Sequence, residues 1–102
     1  MNRAIAVLIA AASGRALAAS ARRGGYAPLV ADFFGDEDTA AVAEAHIRLD
    51  QGLARGMRSD TVIAALESLA RSRAPAGIVC GTGFEDRQDL LAAIARRWTL
   101  FG

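Results

Sequence analysis

The sequence predicts an α/β fold in which helices cover both faces of a parallel sheet. Short apolar runs alternate with helical patterns along the whole chain, and this alternation requires parallel strands joined by right-handed helical crossovers. The first run, residues 3–10, is apolar throughout, as in a strand that is covered on both faces. The chain has 102 residues, 53% of them apolar, so we treat residues 1–102 as one packed domain.

In the first half of the chain, the residue pattern predicts three strands with a helix after each of the first two. The alanine-rich segment 15–23 is helical, and the two glycines that follow it can stop the helix. Residues 27–34 form the second strand, with Pro28 tolerable near its start. Carboxylates open the segment 37–45, where they complement the dipole of a second helix. Residues 46–50 are a short third strand.

The second half predicts a loop, a long helix and a fourth strand. Residues 51–59 contain two glycines and no clear period, which is typical of a loop. Residues 60–73 place their large apolar side chains on one helical stripe. The short apolar run 77–81 is the fourth strand.

The last quarter predicts a fourth helix and a fifth strand. Thr82 and Glu85 have the spacing of a capping box, in which each side chain binds the backbone of the other residue. Residues 99–102 begin a fifth strand, and the strand order becomes 3-2-1-4-5 in a doubly wound, Rossmann-like three-layer sandwich. Because this strand ends the sequence, we expect the chain to be the N-terminal part of a longer polypeptide.

Charge and cysteine content exclude several classes of function. The net charge is +1 with the two signs interspersed, which gives no basis for binding nucleic acid or an anionic membrane. The apolar N-terminal run is shorter than the roughly 20 residues that a membrane span needs. Cys80 is the single cysteine, so no internal disulfide can form, and the cytoplasm is the expected compartment.

The first strand–helix turn partly matches a dinucleotide-binding turn. In place of the three glycines of such a turn stand Ala11, Ser13 and Ala16, and Asp32 ends the second strand at a suitable separation. Ser13 hinders the close approach of a pyrophosphate, for which the second glycine exists. A turn that only needs small residues is the alternative interpretation.

The loop Gly81–Glu85 has the geometry of a phosphate-binding loop but the wrong charge. Glu85, Asp86 and Asp89 lie in and after it, and each would repel a phosphate by about 1 kcal/mol near the surface. We therefore predict no triphosphate site here. Glu85 is either a helix cap or a carboxylate presented to an amine or another cation at the carboxyl edge of the sheet, where open α/β sheets bind ligands.

The remaining reactive residues form no catalytic group in the sequence. Asp36 and Asp38 begin a helix and point in different directions, which is unsuited to a metal site. His46 has no nucleophile or acid at a recognisable spacing, and we interpret it as a surface or edge-strand residue. Cys80 lies in an apolar strand and is expected to be buried and inert.

Four segments together resemble the N-terminal, pre-ATP-grasp domain of ATP-grasp enzymes, in particular biotin-carboxylase-like proteins and carboxylate–amine ligases. "GTGF" followed by acids resembles the glycine loop after the fourth strand of that domain, and the terminal "LFG" resembles the strand that leads out of it. "GDEDTAAVAEAHIRLD" is similar to the segment after its second strand, where Asp36 and Asp38 match an A-D-x-D pattern with Gly35 in place of the alanine. "IAAASGRALAASARRGGY" resembles its first strand, turn and helix.

The resemblance implies a ligase in which this domain serves the acceptor substrate. It implies that further domains of the same polypeptide bind ATP and Mg²⁺, that this segment binds no cofactor or metal, and that it is inactive alone. The turn Ser13, Gly14, Arg15 and the loop residues Gly81, Thr82, Gly83, Phe84 and Glu85 would then line the substrate side. The partners implied are the other domains and a small-molecule substrate, and a homodimer is left open.

Two other functions stay open at this point. One is a small NAD-, FAD- or nucleotide-binding module, and the other is a non-catalytic interaction domain of flavodoxin-like topology. The second is weakened because the sequence lacks an acidic pair after the first strand and an aspartate that ends a central strand as a phosphate acceptor.

Overall fold

A computed structural model describes residues 4–35, 37–49 and 58–101. Strands and helices alternate along the chain, as the apolar pattern predicts. The strands are β1 (Ile5–Ala10), β2 (Tyr26–Asp32), β3 (Ala45–Arg48) and β4 (Pro75–Cys80). The helices are α1 (Arg15–Arg23), α2 (Glu37–Val42), α3 (Ser59–Ser72) and α4 (Gln88–Ala95).

The four strands form one parallel sheet in the order β3-β2-β1-β4. This arrangement confirms the predicted Rossmann-like α/β class and its strand order. Of the predicted fifth strand, the described residues 99–101 form a single parallel bridge, between Ile78 and Leu100. The N–H of Ile78 donates to the carbonyl of Thr99 at 2.8 Å, and its carbonyl accepts from the N–H of Phe101 at 2.8 Å. Residues 99–101 therefore lie beside β4, where a fifth strand of order 3-2-1-4-5 would begin.

Helices cover both faces of the sheet because β1 and β2 are apolar on both sides. On one face, α3 and α4 pack on alternate strand residues such as Leu8, Leu29 and Ile78, all fully buried. On the other face, α1 and α2 pack on Ile9 and Val30. The large core thus lies under α3 and α4, and a much smaller one lies under α1 and α2.

Several predicted boundaries were wrong by a few residues. The second helix ends at Val42 rather than residue 45, because Ala45 already pairs with β2. The capping box was also wrong: α4 begins only at Gln88, and Glu85 accepts hydrogen bonds from Gly83 instead. Thr82 and Glu85 thus lie in turns that end before α4 begins.

A few predictions fall outside the described residues. These are the role of Asp36, the last residue of the predicted third strand (residue 50), residues 51–57 of the predicted loop, and the two ends of the chain at residues 1–3 and 102. Among the residues that the structure describes, no helix is both long and apolar enough to cross a membrane.

Candidate functional site

The first turn and the 81–85 loop lie side by side at the carboxyl edge of the sheet. The N–H of Ala12 donates to the carbonyl of Thr82 at 2.7 Å, and the N–H of Gly81 donates to the carbonyl of Ala10 at 2.8 Å. A Cβ added at Gly81 would come within 2.7 Å of the Leu17 side chain, so glycine allows this loop to pack closely on α1. The backbone thus fixes the two loops against each other.

An open cleft of about 500 Å³ lies at the end of β4. Four of the residues that the resemblance implies for substrate binding line it, together with Cys80 and three apolar side chains. The lining residues are Cys80, Gly81, Thr82, Phe84, Glu85, Leu91, Leu100 and Phe101. Phe84 is almost completely buried, so its ring supplies a fixed wall rather than a mobile one.

The other four predicted residues lie at the same edge but do not line the cleft. Gly14 is buried, and a Cβ there would come within 2.6 Å of Val30. Arg15 is exposed and makes a 3.7 Å ion pair with Asp38 at the start of α2. Ser13 and Gly83 belong to the two turns beside the cleft. The structure therefore brings the 81–85 loop and the cleft together, and it places the first turn next to them.

Asp32 is the buried centre of this edge. Its side chain is fully buried, and one carboxylate oxygen accepts from the N–H of Gly14 at 2.8 Å. The other oxygen accepts from the N–H of Gly35 at 3.1 Å and lies 2.7 Å from Nε2 of His46. Asp32 thereby links the start of α1, the loop after β2 and the edge strand β3.

The sequence pattern did not predict the contact between Asp32 and His46. His46 does lie on an edge strand as predicted, but its side chain is only 16% exposed and it does have an acid partner. The two residues are 14 positions apart, and the parallel pairing of β2 with β3 brings them together, with Val30 opposite His46. An acid at the end of one strand followed by a histidine in the next was the available signal.

Two hydrogen bonds fix the conformation of the 81–85 loop. Gly83 has a positive φ of 101°, a conformation that glycine adopts without a Cβ penalty. Its N–H donates to the two carboxylate oxygens of Glu85 at 2.9 and 3.3 Å. The acidic side chain that ends the loop is therefore bound to the backbone of the loop itself.

Arg87 anchors the far end of the loop. Its guanidinium donates to both carboxylate oxygens of Asp89 at 3.0 and 3.1 Å and to Oγ of Ser59, at the start of α3, at 2.8 Å. The hydrogen bond from Arg87 lowers the pKa of the Asp89 carboxyl below its usual range. The sequence places three acids here, Glu85, Asp86 and Asp89. The negative charge of Asp89 is balanced by the positive charge of Arg87.

Cys80 is only partly buried, although the sequence predicts a buried thiol. It ends β4, where the cleft opens one side of the strand. Desolvation raises the pKa of its thiol to about 11. Because the thiolate is the reactive form, Cys80 is a weak nucleophile near neutral pH, as the sequence predicts.

A second cavity of about 390 Å³ lies on the α1 face of the sheet. Its walls are mostly apolar and include Val7, Leu17, Val79 and Phe101. It contains none of the predicted site residues, and it reaches Tyr26 at the start of β2 rather than the carboxyl ends of the strands. Since open α/β sheets bind ligands at the carboxyl ends, the cleft at the end of β4 is the candidate site.

Within the described part of the chain, no three His, Cys, Asp or Glu side chains lie close enough together to hold a metal ion. Comparison with protein-family models, curated proteins and solved structures found no match to this chain.

Proposed function

We propose that this domain is the substrate-side N-terminal domain of an ATP-grasp ligase, which joins a carboxylate to an amine. In this reaction ATP phosphorylates the carboxylate to an acylphosphate, and the amine then displaces phosphate to form an amide. ATP and Mg²⁺ bind to other domains of the same polypeptide. The role of the present domain is to hold the acceptor in the cleft at the end of β4.

One observation carries this proposal: both glycine turns at the carboxyl edge already bind a carboxylate of the chain. Asp32 accepts from Gly14 in the first turn, and Glu85 accepts from Gly83 in the second. Backbone N–H groups at such turns are the usual ligands of a nucleotide phosphate. A domain whose turns are satisfied in this way, yet which keeps an open cleft beside them, suits an acceptor better than a nucleotide.

The same geometry argues against the dinucleotide alternative. In a dinucleotide-binding fold, an acid near the end of β2 binds the ribose hydroxyls. Asp32 is fully buried and accepts hydrogen bonds from three segments of its own chain. A ribose would have to displace those bonds to reach it.

The location of ATP tests the proposal directly. The natural reading frame is expected to continue past Gly102 into a domain with phosphate-binding lysines, since this segment has no lysine. In the full-length protein, photo-crosslinking with an azido-ATP analogue should label peptides outside residues 1–102. Labelling of the Gly81–Glu85 loop, or a reading frame that stops at Gly102, contradicts the proposal.

The chemistry is tested with isotope transfer and one pair of variants. With an ¹⁸O-labelled carboxylate substrate, one labelled oxygen should appear in the released phosphate, because the acylphosphate is cleaved at its carbonyl carbon. Thr82→Trp partly fills the cleft and should raise the KM for the acceptor without changing the KM for ATP. Ser68→Trp, on the exposed side of α3, is the control and should change neither. A rise in the KM for ATP in Thr82→Trp would place the nucleotide in the cleft.

A further inference from the structure

The lining of the cleft at the end of β4 limits what it can hold. Most of its side chains are apolar: Phe84, Leu91, Leu100 and Phe101 form its walls. Leu100 and Phe101 are about 40% exposed, so a ligand that covers them removes apolar surface from water. Of the described residues that line the cleft, Glu85 is the charged one.

Glu85 lies at the rim of the cleft, and its carboxylate can accept further hydrogen bonds. A carboxylate has about four lone-pair positions, and the N–H of Gly83 is the donor that meets its two oxygens. The side chain is exposed, and none of the arginines in the described ion pairs is paired with it. The bond to Gly83 restrains the carboxylate in place, so a cation that meets it gains charge-assisted hydrogen bonds without first ordering the side chain.

From this combination we infer that the acceptor is an organic ammonium ion with an apolar body, such as a primary alkylamine or arylalkylamine. The ammonium group binds Glu85, and the hydrocarbon part lies against Leu91, Leu100 and the two phenylalanine rings. Before the nitrogen attacks the acylphosphate, the bound ammonium ion releases one proton to solvent at the open rim of the cleft, and the free amine then displaces phosphate. The inference rests on the proposed function in that it names the acceptor of that same site. It excludes small polar amines and amino acids with charged side chains, because neither would cover the apolar walls.

Four ligands that differ in one property each test the inference by calorimetry on the full-length protein. Hexylamine has both the charge and the apolar body, hexanol lacks the charge, hexanoate reverses it, and ethanolamine lacks the apolar body. Hexylamine should bind about tenfold more tightly than hexanol, the effect of one hydrogen bond to a charged group. Hexylamine should bind more tightly than ethanolamine by a larger factor, because each additional buried methylene strengthens binding about fourfold.

Matched variants show whether these ligands bind in the cleft. Glu85→Gln should remove the advantage of hexylamine over hexanol, whereas Asp86→Asn makes the same charge change one residue away, outside the cleft, and should leave it within about twofold. Leu100→Ala should weaken hexylamine and hexanol alike, by about threefold. Cys80 gives an independent readout: hexylamine should slow its alkylation at pH 9 in the parent protein and in Asp86→Asn, whereas about tenfold more hexylamine should be needed for the same protection in Glu85→Gln.

The outcomes separate this inference from the proposed function. If ATP-dependent ligation is found but Glu85→Gln and Asp86→Asn affect hexylamine equally, the assignment of the acceptor is wrong and the ligase proposal stands. If the four ligands rank as expected but the full-length protein neither binds nor consumes ATP, the cleft is a cation site and the ligase proposal is wrong. Tighter binding of hexanoate than of hexylamine overturns the inference outright.

Discussion

At the scale of single residues, the carboxyl edge of the sheet is organised by two carboxylates that bind backbone N–H groups. Asp32 does so in a fully buried position, where an unpaired charge is very costly. Its partners come from the first turn, from the loop after β2 and from β3, so one side chain fixes three segments. Glu85 does the same on the surface, where each bond contributes less.

We therefore expect Asp32→Asn to destabilise the domain strongly. The amide keeps one acceptor oxygen but presents N–H donors where Gly14 or Gly35 already donates, so at least one buried donor loses its partner. The free energy of unfolding, measured by urea denaturation, should fall by about 3 kcal/mol. Asp38→Asn is the control: its carboxylate is 76% exposed and lies 3.7 Å from Arg15, so the change should stay within about 0.5 kcal/mol. Equal effects of the two substitutions would show that the Asp32 network contributes no special stability.

At the scale of elements, the sequence predicted those segments whose boundaries depend on local chemistry. The first helix has its predicted bounds because Gly24 and Gly25 stop it locally. The fourth helix starts later than predicted because Glu85 reaches Gly83, two residues back, and this competing local bond cannot be seen in the spacing to Thr82.

The residues of the candidate site, like the element boundaries, were predictable only where they depend on neighbours in the sequence. The 81–85 loop could be recognised because its glycines and acids are contiguous in the sequence. The Asp32–His46 pair could not be found from local spacing, because it depends on which strands are neighbours and on their register. The residues that complete the cleft from α4 and the last segment, Leu91 and Leu100, depend on tertiary packing in the same way.

The contact between β4 and the final segment makes a prediction at this scale. The pairing of β1 with β4 shifts register between Ala6 and Leu8, and this shift places an extra residue near Gly77 in β4. A Cβ at Gly77 would come within 2.5 Å of the Phe101 ring and 2.6 Å of the Thr99 carbonyl oxygen. Because that oxygen belongs to the backbone and accepts from Ile78, the segment 99–101 cannot simply move aside without losing its bridge.

Gly77→Ala should therefore destabilise the domain by about 2 kcal/mol, as overpacking does elsewhere, and should detach the final segment. Urea denaturation gives the first quantity, and the fluorescence of Trp98, the single tryptophan of this sequence, reports the second. Gly24→Ala is the matched control, because nothing lies closer than 3.5 Å to the added Cβ. If both variants unfold at the same urea concentration, the contact of Phe101 with Gly77 is loose in solution.

At the scale of the whole molecule, the two faces of the sheet differ in how much core they hold. Among the described residues, the cluster under α3 and α4 contains fifteen buried residues, and the cluster under α1 and α2 contains three. Helix α3 buries four of its residues, including Leu66, whereas α1 and α2 bury one each. Because local stability follows buried apolar contact, the α1–α2 side should open without unfolding of the rest.

Hydrogen exchange of backbone amides can measure this difference in local stability between the two faces of the sheet. Amides of α3 should exchange only through global unfolding, with a strong dependence on urea, and amides of α1 and α2 through smaller openings with little dependence on urea. Leu66→Ala should lower the free energy of unfolding by about 3 kcal/mol and lower the protection of α3 by the same amount. The protection of α1 should change less, because its opening does not break the core around Leu66. Ser68→Ala, on the exposed side of α3, controls for the substitution itself. If α1 and α3 instead share one protection value and one urea dependence, the domain unfolds as a single cooperative unit, and the first turn beside the cleft is as rigid as the core.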